Sequence, residues 1–163
     1  MRILGLDPGT ATTGYGVIEV EDGRLSAVAF GVIRTSPQDS VGQRLQHIYQ
    51  GVNQLITEFQ PDLAAVEELF FGRNVTTAIS VGQARGVLML ALVNAGIPIG
   101  EYSPPVIKGA VTGYGKADKA QVQLMVRTLL DLEETPRPDD AADGLAVAIT
   151  HYHHHRFESL LHE

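Results

Sequence analysis

Acidic side chains stand at three points where the sequence predicts that a structural element begins or ends. Asp7 ends the apolar run RILGLD, and Glu67 and Glu68 end the run LAAVEE. Asp140 and Asp143 lie three residues apart in PDDAADGLAVAI, so they share one face of a predicted helix. A buried cluster of carboxylates is unfavourable unless a hard cation neutralises it. If folding brings these three segments together, the pattern predicts a metal site.

The chemistry expected of such a site is phosphoryl transfer. Mg²⁺ takes oxygen ligands and is commonly held by carboxylates together with a substrate phosphate. Two ions about 3.5–4 Å apart activate water and stabilise a leaving oxygen. We therefore predict two Mg²⁺ ions per subunit, for which Mn²⁺ can substitute. Because strand alternation sends Glu67 and Glu68 to opposite faces, only one of them is expected to join the aspartates.

Each of these acids also has an ordinary structural interpretation. Acids at helix N-termini commonly cap backbone N–H groups and interact favourably with the helix dipole, and we favour that role for Asp139. Asp7 could form a turn with Pro8-Gly9, and the two glutamates could be a solvated strand end. Asp143 is harder to explain in this way, because it lies one turn inside the helix. The joint placement of the acids favours the metal site.

The elements predicted around these acids change from strands to helices along the chain. Short apolar or alternating segments predict strands over residues 2–7, 13–20, 24–35, 63–67 and 97–102. Helical periodicity predicts helices over residues 41–59, 75–95, 118–130 and about 139 to 155. The pair Asp22-Gly23 predicts a hairpin between the second and third strands. This order indicates a mixed sheet with helices on its faces, and such sheets place chemistry at the carboxyl ends of strands.

Composition limits the class of protein. The chain has 163 residues, a hydrophobic fraction of 44% and no cysteine, which is typical of one globular domain in a reducing compartment and excludes thiol catalysis. No signal peptide is evident and the longest apolar run is too short to span a bilayer, so we expect a cytoplasmic location and no membrane partner. The net charge of −7 argues mildly against nucleic-acid binding. However, residues 67–119 carry five basic and four acidic side chains, which leaves room for a local basic surface.

Aromatic and basic side chains near the acids are candidates for contacts to nucleic acid. Phe70 and Phe71 lie in a Gly-containing loop, where a ring could stack on an unpaired base, although at least one of them could instead pack in the core. Backbone N–H groups of the loop TGYGKADK, which enters a helix, favour phosphate. Basic side chains of the middle third are further candidates, and each could instead be an ordinary solvated residue: Arg73, Arg85, Lys108, Lys116 and Lys119.

Four motifs together carry a family resemblance: LGLDPGTATTGYGV, AAVEELFF, GQARGVLML and DDAADGLAVAI. In residues and spacing, the chain from Met1 to His155 resembles the bacterial Holliday junction resolvases of the RuvC family. The resemblance implies an α/β fold of the ribonuclease-H-like class, with a mixed five-stranded sheet flanked by helices, in a single nuclease domain over residues 1–163. It also implies an endonuclease that nicks two strands of a four-way DNA junction symmetrically and leaves 5′-phosphate ends, in recombination and DNA repair.

The resemblance also implies roles for single residues and for partners. The positions of the family's four acids are occupied here by Asp7, Glu67, Asp140 and Asp143. Glu67 is then the expected ligand, with Glu68 beside it. Lys119 matches a lysine that lies close to the metal site, as does Lys108, and we expect Lys119 to stabilise developing charge. An aromatic residue three positions after the glutamate points to Phe70 as a wedge at the crossover. The implied partners are a second copy of the chain and a branch-migration motor of the RuvA and RuvB type.

Two other classes of function compete with this hypothesis. The segment LDPGTATTG resembles the phosphate loop of actin-like ATPases and sugar kinases, which share the opening strand and hairpin. That class needs a second half to hold adenine, for which we expect 163 residues to leave no room. A junction-binding protein without catalysis is the other alternative, but it would not need four carboxylates, which repel DNA.

Overall fold

The computed structural model describes residues 1–69 and 74–162, and its elements follow the predicted order with one further helix, over Pro104–Thr112, that the sequence pattern did not predict. The strands are β1 (Arg2–Asp7), β2 (Thr12–Glu21), β3 (Arg24–Arg34), β4 (Leu63–Glu67) and β5 (Ile99–Tyr102). The helices are α1 (Val41–Phe59), α2 (Val75–Asn94), α3 (Pro104–Thr112), α4 (Lys119–Leu129) and α5 (Asp139–Leu161). The described part of the chain therefore has the mixed α/β character that the sequence predicts.

The five strands of the described residues form one sheet in the order β3-β2-β1-β4-β5. Strands β1, β2 and β3 pair antiparallel, whereas β1, β4 and β5 run parallel. The predicted hairpin connects β2 to β3, and its residues Asp22 and Gly23 both have positive φ, as a tight two-residue turn requires. Because β1 and β4 are parallel neighbours, their carboxyl ends lie at the same edge of the sheet.

Strand alternation divides the core into two layers, one on each face of the sheet. Leu4 and Leu6 of β1 pack with the helices α1 and α2 on one face. Ile3 of β1 and Ala65 of β4 pack on the other face with α3, α4 and α5. By the same alternation, Asp7 and Glu67 point to the face that α5 covers.

Helix α5 is longer than predicted, and its middle is buried on all sides. It ends at Leu161 rather than near residue 155, because the sequence after Tyr152 contains no glycine or proline that would stop a helix. Its burial is not confined to one face, since every residue from Gly144 to Thr150 is buried. The sheet encloses α5 on one side, and α3 and α4 enclose it on the other.

Glycines on the facing surfaces allow the backbone of α5 to lie directly on the sheet. A methyl group added at Gly14 of β2 would overlap the carbonyl group of Asp140, and one added at Gly144 of α5 would overlap the backbone of Tyr15. Such overlap cannot be relieved by moving a flexible side chain, because backbone atoms are involved. The glycines therefore fix the distance between the sheet and the first turns of α5, which carry the aspartates.

Helix α2 is the one helix within the described residues that is long and apolar enough, by length and composition, to cross a membrane. One face packs in the core through Ala84, Leu88 and Leu92. The helix predicted over residues 75–95 agrees within one residue with the observed bounds of α2, Val75–Asn94. The turn that follows contains Gly96, whose positive φ favours glycine.

Candidate active site

Asp7 and Glu67 lie side by side at the carboxyl edge of the parallel strands. The register pairs Leu6 with Val66, so the next residues on the two strands are Asp7 and Glu67. Both are partly buried, whereas Glu68 is exposed and its backbone N–H donates to the carbonyl oxygen of Tyr102, 2.8 Å away. The alternation that separates the two glutamates is the one that the sequence predicts.

Helix α5 brings two further carboxylates to the same edge. Asp7, Asp140 and Asp143 each offer a carboxylate oxygen, and these atoms lie within 4.8 Å of one another. Residues from a strand end and from the first two turns of a helix thus converge, although more than 130 positions separate them in the chain. Three carboxylates at this spacing are a donor set of hard oxygen atoms, which suits a divalent cation such as Mg²⁺.

The ionisation of the cluster reflects its burial and its mutual repulsion. Burial, together with the neighbouring Glu67 and Asp140, raises the pKa of Asp7 to about 9. Burial and the charge of Asp7 raise the pKa of Asp143 to about 6. Burial also raises the pKa of Glu67, against the opposing effect of Lys108. Without a cation, the cluster therefore holds protons at neutral pH, above all on Asp7.

Lys119 is the cation nearest to the aspartates of α5. Its ammonium lies 3.5 Å from a carboxylate oxygen of Asp139 and 3.7 Å from one of Asp143. Burial lowers the pKa of Lys119, but Asp143 and Asp139 outweigh this effect, and the pKa is raised overall. The N-cap of α5 is Pro138 and no side chain caps the helix, so the capping predicted for Asp139 is wrong. Asp139 does lie in the first turn, beside Lys119, where a carboxylate interacts favourably with the helix dipole as expected.

A cavity of about 260 Å³ opens beside the carboxylates, between α3, α4 and α5. Its lining includes the acids Glu67 and Asp143 and the lysines Lys108 and Lys119. The rest of the wall is mainly apolar, with contributions from Ile107, Ala117, Val122, Ala146 and Val147. The site thus combines acids, two lysines and an apolar wall large enough to receive part of a nucleotide.

The turn after β1 is held by hydroxyl groups that sequence reasoning missed. The Thr13 hydroxyl donates to the carbonyl oxygen of Gly9 at 2.7 Å. The Thr10 hydroxyl lies 2.6 Å from the Ser80 hydroxyl and donates to the Ser80 carbonyl oxygen at 2.9 Å, which ties the turn to α2. The Thr-rich segment GTATTG was the available signal, but its partner Ser80 is distant in sequence.

Comparisons with known proteins agree with this geometry. Residues 3–151 match the family model described as crossover junction endodeoxyribonuclease RuvC. Proteins of that name from Heliobacterium modesticaldum and Syntrophomonas wolfei are 58% and 53% identical to the chain over 149 and 161 residues. These alignments cover 91% and 99% of the chain, and 92% and 94% of the two relatives. The structure of Thermus thermophilus RuvC in complex with a Holliday junction substrate has a TM-score of 0.92 and 39% identity, and covers 97% of this chain and 96% of its own.

The chain belongs to the RuvC family. The nuclease class and the ribonuclease-H-like fold predicted from the sequence are thereby confirmed. The ATPase and the non-catalytic binding protein are not favoured. The hydroxyl groups of Thr10 and Thr13 in the loop that resembles a phosphate loop are bonded within the chain, to Ser80 and Gly9.

The remaining predicted DNA contacts of this RuvC-family chain have different surroundings. Lys108 is partly buried at the cavity, and Lys116 is exposed in the loop before α4. The guanidinium of Arg85 on α2 pairs with the carboxylate of Glu101, so it already has a partner within the chain. Phe70, Phe71 and Arg73 lie outside the described residues, and their predicted roles stay predictions.

In the loop that we expected to present backbone N–H groups to phosphate, side chains of the same segment cap the start of α4. The Asp118 carboxylate accepts from the N–H of Gln121 at 2.8 Å, and the Gln121 side chain accepts from the N–H of Asp118 at 2.9 Å. This capping box makes Asp118 the N-cap of α4. It also occupies the N–H groups of Asp118 and Gln121, so a phosphate at this helix start would have to use other N–H groups or the neighbouring lysines.

Proposed function

We propose that the chain resolves four-way DNA junctions by metal-dependent hydrolysis of one phosphodiester bond in each of two strands. The observation that carries the proposal is the convergence of three carboxylates within 4.8 Å beside Glu67. The ligands would be Asp7, Glu67, Asp140 and Asp143, with room for two Mg²⁺ ions per subunit and with Mn²⁺ as a substitute. When bound, such ions supply activation of the attacking water and neutralisation of charge on the phosphate.

The carboxylates themselves prepare the site for cations. Their raised pKa values mean that Asp7 and part of Asp143 carry protons at neutral pH when no cation is present. A cation and these protons compete for the same oxygen atoms, so binding releases protons. The buried walls of β1 and β4 hold Asp7 and Glu67 in place, which keeps the ligand geometry fixed while the protonation state changes.

The two lysines that line the cavity bind and orient the DNA strand. Lys119 lies 3.7 Å from Asp143, so a phosphate held by the acidic cluster through cations is also within reach of its ammonium. There, Lys119 stabilises negative charge that develops on the phosphate oxygens. Lys108, which shares the cavity with Glu67, contacts the neighbouring phosphate of the backbone. Hydrolysis then leaves a 5′-phosphate and a 3′-hydroxyl.

A second copy of the chain would provide the second cut, and the exposed face of α2 suits such a contact. Val75, Ile79, Leu90 and Val93 are exposed apolar residues on one side of the helix, with Gly82 and Gly86 between them. A methyl group added at Gly86 would meet no atom within 4 Å, so the centre of this face is flat and open. A flat apolar face permits close packing of two helices about a two-fold axis.

Three expectations extend this function. Phe70 would stack on an unpaired base at the crossover as a wedge. The chain would act in the cytoplasm, in homologous recombination and DNA repair. A branch-migration motor of the RuvA and RuvB type would move the junction to the preferred site before it is cut.

Cleavage of a synthetic four-way junction tests the proposal directly. We expect paired nicks in the junction with Mg²⁺ or Mn²⁺, none in EDTA, and far less cutting of a linear duplex that contains the same strand sequences. Cutting that is equally fast in EDTA would contradict the metal-dependent mechanism. Equal cutting of the linear duplex would contradict the selectivity for junctions.

A further inference from the structure

Tyr114 is an exposed aromatic residue in the loop between α3 and α4. Its side chain is 58% exposed. Exposure of a large ring contributes little to folding, so the ring is free to serve a contact outside the chain. We propose that Tyr114 stacks on a nucleobase of the DNA strand that enters the active-site cavity, an inference that rests on the proposed function.

The backbone around Tyr114 is held firmly, so the ring is presented in a fixed place. The Tyr114 N–H donates to the Thr112 hydroxyl oxygen at 3.1 Å, and that hydroxyl lies 2.7 Å from the carbonyl oxygen of Lys108. The carbonyl oxygen of Tyr114 accepts from the N–H of Ala117 at 3.0 Å. Gly113, with φ of 81°, ends α3 and turns the chain outward. A ring on a preorganised turn loses little entropy when it binds a base.

These hydrogen bonds also connect Tyr114 to the walls of the active-site cavity. Ala117, which bonds to the Tyr114 carbonyl, lines the cavity together with Glu67 and Asp143. Lys108, which lies beyond Thr112, lines it as well. The backbone of Tyr114 is therefore joined to two residues of the cavity wall, directly to Ala117 and through Thr112 to Lys108, which places this loop next to the cavity where the strand to be cut must lie.

The charge around the loop favours DNA over protein as the partner. Lys116 is exposed two residues after Tyr114, and Lys119 begins the next helix. Aromatic rings among lysines are the combination by which proteins bind unpaired strands, because the ring stacks on a base while the cations contact the backbone. The exposed face of α2 differs, since its apolar residues are aliphatic and suit contact with another protein chain.

Binding of a four-way junction in EDTA, where no strand is cut, tests the role of Tyr114. We expect Tyr114→Ala to weaken binding between about fivefold and about a hundredfold, the range for loss of one stack between a base and an aromatic ring. Tyr114→Phe and Tyr114→Trp, which keep a ring, should bind within about threefold of the unsubstituted protein. The matched control is Phe157→Ala, since Phe157 is 62% exposed but lies about 21 Å along α5 from Asp143 at 1.5 Å per residue. That control should change binding by less than about twofold.

A fluorescent base locates the contact. The base analogue 2-aminopurine, placed at successive positions around the cut site and in a single-stranded oligonucleotide, should be quenched at one or two positions by the unsubstituted protein and by Tyr114→Phe. The same positions should stay bright with Tyr114→Ala. Tyr114→Ala that binds within about twofold of the unsubstituted protein and quenches equally would overturn the inference. A failure to prefer junction over duplex would instead count against the proposed function, because stacking on the single strand is measured separately.

Discussion

The pKa of Asp143 is set by opposing influences from its neighbours. Burial and the neighbouring Asp7 raise its pKa to about 6, while the ammonium of Lys119, 3.7 Å away, favours its charged form. At neutral pH it is therefore mostly charged, with a protonated fraction that remains. A carboxyl in that condition can exchange its proton for a cation with little cost, as a ligand at a metal site must.

Asp143→Asn should abolish cutting and keep junction binding. The amide retains the shape of the side chain but removes a charged ligand, and the loss of a carboxylate does not weaken attraction to DNA. Cleavage rates and junction affinity of the variant are the measurements, with Glu68→Gln, an exposed acid beside the cluster, as the control. If the variant cuts within about tenfold of the unsubstituted protein, which is about 1.4 kcal/mol in the barrier, Asp143 is not a ligand.

Lys119→Gln should reduce cutting much more than binding. Among the described residues, Lys119 forms ion pairs within 4 Å with both Asp139 and Asp143, so its removal takes away positive charge close to where negative charge develops on the phosphate. We expect cutting to fall at least about tenfold and junction affinity to change less than about threefold. Lys116→Gln, which removes an exposed lysine three residues earlier, is the control. Equal effects of the two substitutions on cutting would mean that Lys119 acts only through general attraction to DNA.

The sequence allows some of these residue roles to be predicted and hides others. Glu67 is separated from Glu68 by strand alternation, which is a local rule, and the structure agrees. The pairing of Lys119 with Asp139 joins the first turns of two consecutive helices, and it depends on how these helices pack, which no local rule predicts. The same holds for Arg85, whose partner Glu101 lies on β5.

At the scale of elements, the site depends on how closely α5 approaches the sheet. Gly5, Gly14 and Gly16 face the helix, and Gly144 faces the sheet in return. A sequence pattern reveals the glycines but not that they face one another. Helical periodicity in the sequence predicts α5 itself. Its burial on all sides follows from α3 and α4, which cover the side away from the sheet.

Gly14→Ala should disturb the site through α5. The added methyl group would overlap the carbonyl group of Asp140, so the helix must move outward and carry Asp140 away from Asp7. We expect a loss of about 1–3 kcal/mol in the free energy of unfolding, together with reduced cutting by the folded fraction. Urea unfolding and cleavage rates are the measurements. In the matched control Gly42→Ala, on α1, the methyl group meets no atom within 4 Å, and it should unfold no more easily.

A Gly14→Ala protein with unchanged stability and unchanged cutting would mean that α5 does not need this close approach. A large loss of stability with normal cutting per folded molecule would mean that the contact stabilises the fold without setting the position of Asp140. Saturating Mg²⁺ should recover part of the lost activity, because ligand binding favours the geometry in which the carboxylates are close.

At the scale of the whole molecule, α2 has one face in the core and one face exposed. The exposed residues Ile79 and Leu90 give α2 an apolar character on both sides, which explains why its composition alone resembles that of a membrane helix. The sequence predicts the helix but not which face remains exposed. That face becomes visible only when α1 and the sheet are seen to cover the other.

Ile79→Glu should separate the proposed dimer into monomers. Ile79 is exposed near the glycines Gly82 and Gly86, so a charge there would be buried without a partner if two copies pack together. Sedimentation should show a dimer for the unsubstituted protein and a monomer for the variant. Cutting of junctions should then yield single nicks in place of paired nicks. Leu160→Glu, which adds a charge at an exposed apolar residue near the end of α5, should remain dimeric. A variant Ile79→Glu that stays dimeric would show that α2 is not the contact.

The stability of the metal-free protein should fall as pH rises from about 4 toward about 9. A carboxyl whose pKa is higher in the folded state than in the unfolded state favours folding at low pH, and that contribution is lost as pH rises through the folded pKa. For Asp143 this loss runs from its ordinary value of 3.8 to about 6, and for Asp7 it continues to about 9. Glu67, with a raised pKa, acts in the same direction.

Thermal unfolding in EDTA and in saturating Mg²⁺ at a series of pH values measures this effect. The gap between the two midpoints should widen with rising pH, because Mg²⁺ binds the ionised carboxyls of the folded state and competes with their protons. At a concentration one hundred times Kd, a cation that binds only the folded state contributes about 2.7 kcal/mol. Asp7→Asn, which removes the group with the highest pKa, should unfold at a higher temperature than the unsubstituted protein in EDTA at pH 8, and Mg²⁺ should stabilise it less. If Asp7→Asn is no more stable than the unsubstituted protein in EDTA and Mg²⁺ shifts neither midpoint, the four acids do not form a cation site.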